Sequence, residues 1–143
     1  IGKKAKISDD FMIIARIESL ILGKGMNDAI ERAKKYVGAG ANGIMIHSKK
    51  DNPKEIFEFA KKFRSNFKDI PLVSVPTSYN RVNEDDLSKN GFNVVIYANQ
   101  LLRAAYPAMQ NVINKILKHG RSKEVDKELI SIKKILELIP GTK

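Results

Sequence analysis

Six residues combine types and spacing that could do chemistry together: Arg16 and Glu18, His47 and Ser48, Thr77, and Asn99. Each ends or follows a short apolar run, and Arg16, His47, Thr77 and Asn99 fall 31, 30 and 22 residues apart. Each interval suits one strand-helix repeat, so the four converge on one rim if the strands run parallel. Arg16 sets a planar, permanently charged fork among Ile14, Ala15 and Ile17, where burial would demand an anionic partner. That partner is either a carboxylate of the protein, Glu18 first, or an anionic ligand. His47 can donate to a phosphoryl or carboxylate oxygen, or can be a core histidine bonded to backbone. Thr77 and Asn99 read equally as turn and helix-cap residues. The stretch Gly23-Lys24-Gly25 lacks phosphate-loop spacing and reads as a flexible loop near the rim.

The elements that must hold these residues follow from the pattern. Apolar runs at Phe11–Ile17, Gly43–Ser48, Leu72–Val75 and Asn93–Ala98 alternate with helical periodicity, the signature of βα units around a parallel sheet. Helices are expected at about Asn27–Val37, after Pro53, at Glu84–Ser88 and at Gln100–Lys118, the last kinked by Pro107. A hinge at Arg121–Glu124 leads to a helix over Val125–Ile139 with an apolar stripe, stopped by Pro140-Gly141. The strands are apolar on both alternations, so both faces are expected to be covered. Four units could form a small open sheet, but without an obvious reversal of order they also read as half of an eight-unit barrel, the reading favoured by a first residue other than Met, over residues 1–120 and followed by hinge and helix over 121–143.

Composition narrows the classes. Lys and Arg number 26 against 16 Asp and Glu, a formal charge of +10 that suits an anionic substrate, a nucleic acid or an anionic surface. The basic pairs lie on helix faces without interleaved aromatic rings, which disfavours a single-strand binding platform. No cysteine is present, which removes thiol chemistry and Cys-ligated metals and is compatible with a reducing cytoplasm, the expected location. Apolar runs of about five residues fall far short of a membrane span. The first residue is Ile1 and no signal-peptide core follows, so the sequence reads as cut from something longer.

The segments Ala15-Arg16-Ile17-Glu18, Gly40–Lys50 with its Ile46-His47-Ser48-Lys49-Lys50, Val75-Pro76-Thr77-Ser78-Tyr79 and Tyr97-Ala98-Asn99-Gln100-Leu101-Leu102-Arg103-Ala104 together resemble the isocitrate lyase and phosphoenolpyruvate mutase superfamily on its mutase side. The match runs from about Asp10 to the last helix. The resemblance implies an α/β fold, the second half of a (β/α)8 barrel, and Mg2+-dependent interconversion of phosphoenolpyruvate and phosphonopyruvate in phosphonate biosynthesis. It implies that Arg16 and His47 hold the substrate and its migrating phosphoryl group, with Glu18, Ser48, Thr77 and Asn99 also binding substrate. Glu18 fits the mutase-like A-R-x-E pattern, whereas 2-methylisocitrate lyase-like enzymes tend to differ there and phosphonopyruvate hydrolases tend to differ at the position of His47. The family's magnesium ligands and gating loop lie in the first four units, so this chain is expected to hold no metal and to be inactive alone. The last helix commonly exchanges between subunits in this superfamily, which implies a homodimer or homotetramer. The non-enzymatic alternative is a basic nucleic-acid-binding module; neither nucleic acid nor membrane is the expected partner.

Overall fold

The computed structural model describes residues 1–139 and 141. The β-branched runs pair as four parallel strands, β1 (Ile14–Ile17), β2 (Gly43–Ile46), β3 (Leu72–Ser74) and β4 (Val94–Val95). Their order is β1-β2-β3-β4. Each strand lies beside its predecessor without the reversal that marks a doubly wound sheet, which is the order of a (β/α) barrel wall. Helices α2 (Gly25–Gly38), α3 (Lys54–Arg64) and α4 (Glu84–Lys89) connect the strands, and a four-residue helix α1 (Gly2–Ala5) that the apolar pattern did not announce precedes β1.

Register divides the sheet into two unlike faces. Ile17 pairs with Ile46, Ile44 with Leu72, and Ser74 with Val95, and Ile17, Ile44, Ile46, Leu72 and Ser74 are all buried. The four apolar ones pack with Ala29 and Ala33 of α2, Ile56, Phe59, Ala60 and Phe63 of α3, and Leu87 of α4. On the alternate positions Arg16 pairs with Met45, and Val73 with Val94. Here Arg16 is exposed, Met45 half-buried, and Val94 and Ile96 are 44% and 37% exposed. β3 is buried on both alternations, Val73 included, as was expected of all four strands; at β1 and β4 the side away from the helices is open, and Arg16 is not a buried charge.

The outer strands are shorter than the apolar runs. The Ile13 N–H donates to Asn42 Oδ1 (2.9 Å), so a side chain occupies the place of a ladder partner and β1 begins at Ile14, leaving Phe11 and Met12 exposed. Asn93 does the same before β4, its Oδ1 accepting from the Leu72 N–H (2.9 Å). The short helix expected at Glu84–Ser88 is present, with Asn83 Oδ1 capping the Asp86 N–H (2.8 Å).

The chain separates into two compact units, one through Ala98 and one from Asn99 onward, so the expected boundary at 120 falls inside the second. That unit contains α5 (Gln100–His119), which runs on past Pro107, a 3-10 helix (Lys123–Glu128) and α6 (Ile132–Glu137). The single helix expected over Val125–Ile139 is corrected to these last two pieces. Ser131 Oγ caps the Lys134 N–H (3.3 Å), starting a new helix where the old one was expected to continue, while Glu128 is drawn to Asn111 and Lys115 of α5. Of the anticipated stripe, Val125 is buried, whereas Leu129, Ile132 and Leu136 are exposed. Pro140, its expected stop, lies outside the described residues.

Arg64, the last residue of α3, ties the third unit together. Its Nε donates to Gly91 O (2.8 Å), its Nη1 to Phe67 O, Lys68 O and Ile70 O (3.1, 3.0 and 2.8 Å), and its Nη2 to Asn93 Oδ1. One guanidinium thus satisfies carbonyls of the α3–β3 turn and of the entry to β4, a fork that lysine cannot reproduce. We expect Arg64→Ala to destabilise the chain by about 2–3 kcal/mol, the value of a few charge-assisted bonds, and Arg64→Lys to recover less than half, read by urea denaturation.

Candidate active site

The parity of the strands decides which predicted residues meet. Arg16 lies on the helix-free face of β1, and Glu18, two residues on, follows the same side. His47, the residue after Ile46, continues the Gly43 and Met45 side of β2 beyond the Arg16–Met45 pair. These three therefore meet on one face at the carboxyl end of adjacent strands, where barrel enzymes build their sites. Their proximity is also electrostatic, because the charges of Arg16 and Glu18 both act on His47.

Arg16 Nε donates to Glu18 Oε1 in a close ion pair, the protein-internal partner that the sequence offered. The two side chains are 52% and 37% exposed, so the contact adds little stability. Its consequence is directional. With Nε held by Glu18, the terminal nitrogens have no partner among the described residues and remain available for a planar anion.

His47 is half-buried, and its Nδ1 is enclosed without a hydrogen-bond partner among the described residues. Burial, and after it the positive charge of Arg16, hold the imidazole below the ordinary histidine range, with Glu18 pulling the other way. The ring is consequently neutral at pH 7. A neutral ring protonated at Nε2 can donate one hydrogen bond without adding a second full charge beside Arg16.

The structure does not bring Ser48 to this face. Ser48 is fully buried on the helix side, its Oγ donating to Glu55 Oε1 and accepting from the Lys50 N–H (3.1 Å), and Lys50 Nζ reaches Glu55 Oε2 at 2.6 Å. The hydroxyl expected to bind substrate is engaged here by Glu55 and the Lys50 N–H. Thr77 follows Val75-Pro76 in a tight turn, its N–H bonded to Val75 O (2.8 Å), and is half-buried. Asn99 opens the second compact unit as the residue before α5; its side chain makes no cap, and Oδ1 is buried without a partner among the described residues.

Sequence reasoning passed over Glu55, whose signal was an acidic residue in the first turn of a helix beginning at Pro53 and seven residues after Ser48. It also passed over Asp28, which accepts from Ser19 Oγ (2.5 Å) and from Arg32 Nε (2.8 Å). These two bonds hold its carboxyl below the ordinary range, Arg32 contributing most. Among the described residues no group of three or more His, Asp or Glu could hold a metal ion. The pairing of Glu18 with Arg16 agrees with this, so the residues present do not fit a Mg2+ site.

The chain is similar to known proteins over most of its length. Residues 1–117 match the family model for phosphoenolpyruvate phosphomutase. The chain is 43% identical to a phosphonopyruvate hydrolase of Variovorax sp. over 137 residues, covering 94% of this chain and 46% of that protein. Among solved structures it superposes on a phosphoenolpyruvate phosphomutase from Streptomyces platensis subsp. rosaceus with a TM-score of 0.88 at 34% identity, covering 96% of this chain and 47% of that one. A phosphonopyruvate hydrolase in complex with oxalate and Mg2+ gives a TM-score of 0.86 at 40% identity, covering 96% and 48%. The chain spans about half the length of the curated relatives it matches.

The charges around His47 give a titration test. Arg16→Ala removes a neighbouring cation and raises the His47 midpoint, whereas Glu18→Gln removes an anion and lowers it, as followed by NMR of the ring protons. Because the folded midpoint is depressed, the unfolded chain binds this proton first as pH falls through 6.5, the ordinary histidine value. The stability linked to this group therefore declines below that pH and levels off beneath the folded midpoint.

Proposed function

The chain belongs to the phosphoenolpyruvate phosphomutase family, and we propose that it forms the carboxyl-terminal wall of a barrel enzyme that interconverts phosphoenolpyruvate and phosphonopyruvate. The observation that carries this reading is the meeting of Arg16, oriented by Glu18, with a neutral His47 on the helix-free face at the strand ends. Both substrates of the proposed reaction carry a carboxylate and a phosphoryl group. Breaking the phosphorus–carbon bond of phosphonopyruvate and forming the phosphorus–oxygen bond of phosphoenolpyruvate moves the phosphoryl group within one molecule. Little covalent help is needed from the protein, so positioning and charge stabilisation dominate.

In this proposal the free terminal nitrogens of Arg16 hold the anion in one orientation, and His47 donates a hydrogen bond to phosphoryl oxygen as it migrates. Thr77 is a proposed substrate-binding residue on the loop after β3. Mg2+ is proposed as the cofactor, with ligands outside these 143 residues, and no step described here passes through it. A complementary set of βα units would cover the open face of the sheet, and the chain alone is expected to be inactive. The exposed Leu101, Leu102, Met109 and Ile113 of α5 suit contact with another subunit in a homo-oligomer. No helix of the described residues is long and apolar enough to cross a membrane.

Hydrolysis of phosphonopyruvate is the second reading, favoured by the 43% identity to the Variovorax hydrolase. There the phosphorus–carbon bond breaks as a phosphorus–oxygen bond to water forms, and the released enolate takes up a proton at carbon to leave as pyruvate beside inorganic phosphate. Phosphorus-31 NMR of the protein containing this chain, given phosphonopyruvate and Mg2+, separates the two: phosphoenolpyruvate is the expected product, inorganic phosphate indicates the hydrolase, and an unchanged spectrum rejects both. We expect Arg16→Ala to lower kcat by about 10²–10³, as for loss of a preorganised donor; turnover within threefold of the unaltered protein would remove Arg16 from its assigned role.

A further inference from the structure

Between Ile46, the last paired residue of β2, and Pro53 before α3, the chain runs without regular structure, and among the described residues no backbone-to-backbone turn or cap bond falls on residues 47–52. His47 is the first residue of that stretch. What fixes it is side-chain bonding on the opposite side of the sheet, one residue away. Ser48, fully buried, donates to Glu55 and accepts from the Lys50 N–H, and Lys50 closes the ring by pairing with the other oxygen of Glu55, whose side chain is 15% exposed.

The same arrangement recurs along the sheet. Ser19 stands two residues beyond Ile17, as Ser48 stands two beyond Ile46, and Ile17 pairs with Ile46, so the two serines occupy equivalent positions. Ser19 is buried and donates to Asp28, a first-turn carboxylate of α2 held in turn by Arg32. In the third unit buried Ser74, on the same helix-facing side, bonds Tyr79 Oη at 3.0 Å and closes the loop after β3. Each clamp lies on the covered side, and in the first two units it sits directly next to an open-face residue of the site, Glu18 or His47. Successive side chains along an extended segment point to opposite faces, so fixing one fixes the backbone from which the next projects.

We infer that Ser48 and Glu55, with Lys50, are positioning residues for His47: their hydrogen-bonded ring on the helix side sets the direction of the imidazole on the open side. This rests on the role proposed above for His47. A displaced donor loses much of its effect in the transition state while the rest of the substrate's contacts persist, so the loss falls on kcat more than on KM.

The test uses the protein containing this chain, with two readouts. Ser48→Ala is expected to lower kcat for phosphonopyruvate by about 10- to 100-fold with KM within threefold, and to shift the His47 ring resonances while those of His119 stay in place. Glu55→Gln, which keeps an acceptor for Ser48 but loses the charge facing Lys50, is expected to be intermediate, and it serves as the second variant should Ser48→Ala not fold. Variants that melt earlier yet keep kcat and the His47 resonances would overturn the inference, leaving the clamp a purely structural feature. Absence of turnover in the unaltered protein would reject the proposed function, and the His47 resonances would then still decide whether Ser48 and Glu55 position the ring.

Discussion

The pairing of Ile17 with Ile46, carried on by Ile44 with Leu72, is the constraint on which the arrangement depends. It is fixed by burial: these side chains pack against Ala29, Ala33, Ile56, Phe59, Ala60 and Phe63, and leaving them in water would cost about 1.5–3 kcal/mol for each large residue. Because side chains alternate, the same register places Arg16 and His47 on the other face. A slip of one residue would drive the Arg16 guanidinium into the helix layer and bring Ser48 to the open side, a large penalty with no partner to offset it. The chemistry at the strand ends is thus specified by the apolar residues beside it.

Short strands shape the rest. With two to four residues each, they offer few ladder bonds, and polar side chains finish the work at both ends. Asn42 and Asn93, each immediately before a strand, lend a carbonyl to a backbone N–H of the preceding strand region, and Arg64 gathers the carbonyls around the entry to β4. At the exits, Ser19, Ser48 and Ser74 turn inward to the helix layer. Buried hydroxyls need partners, and here the partners are residues of the following loop or helix, so satisfying the hydroxyl also determines the course of the connection.

Much of this could be read from the residues alone. The alternation of apolar runs with helical stripes, and the absence of a reversal, indicated consecutive parallel strands. The spacing of Arg16 and His47 indicated a common rim, and Glu18 was the first candidate partner of Arg16. Three features were not legible, each for a physical reason. Apolar alternations show which faces can be buried and not what buries them, so the open face and exposed Arg16 were missed. Strand parity needs the register, which is why Ser48 was grouped with His47. The break near Ser131 depends on a cap competing with continuation of the helix, and the apolar period at Val125, Leu129 and Ile132 runs through it unaltered.

The Arg16–Glu18 pair shows how stability and function separate. An exposed pair of this kind contributes about 0–1 kcal/mol, too little to explain its place at a strand end as support for the fold. Left alone, Arg16 would sample many rotamers and pay an ordering cost on meeting an anion. With Nε engaged, the fork is restricted beforehand and its terminal nitrogens stay unpartnered among the described residues, beside a ring that burial and the same guanidinium hold towards its neutral form. Glu18 also cancels part of the charge that would otherwise push the imidazole further down, so both members of the pair act on the ring. A sheet face that looks unfinished as a core is, in these terms, a surface of one permanent cation and one neutral donor, a combination that suits an anion.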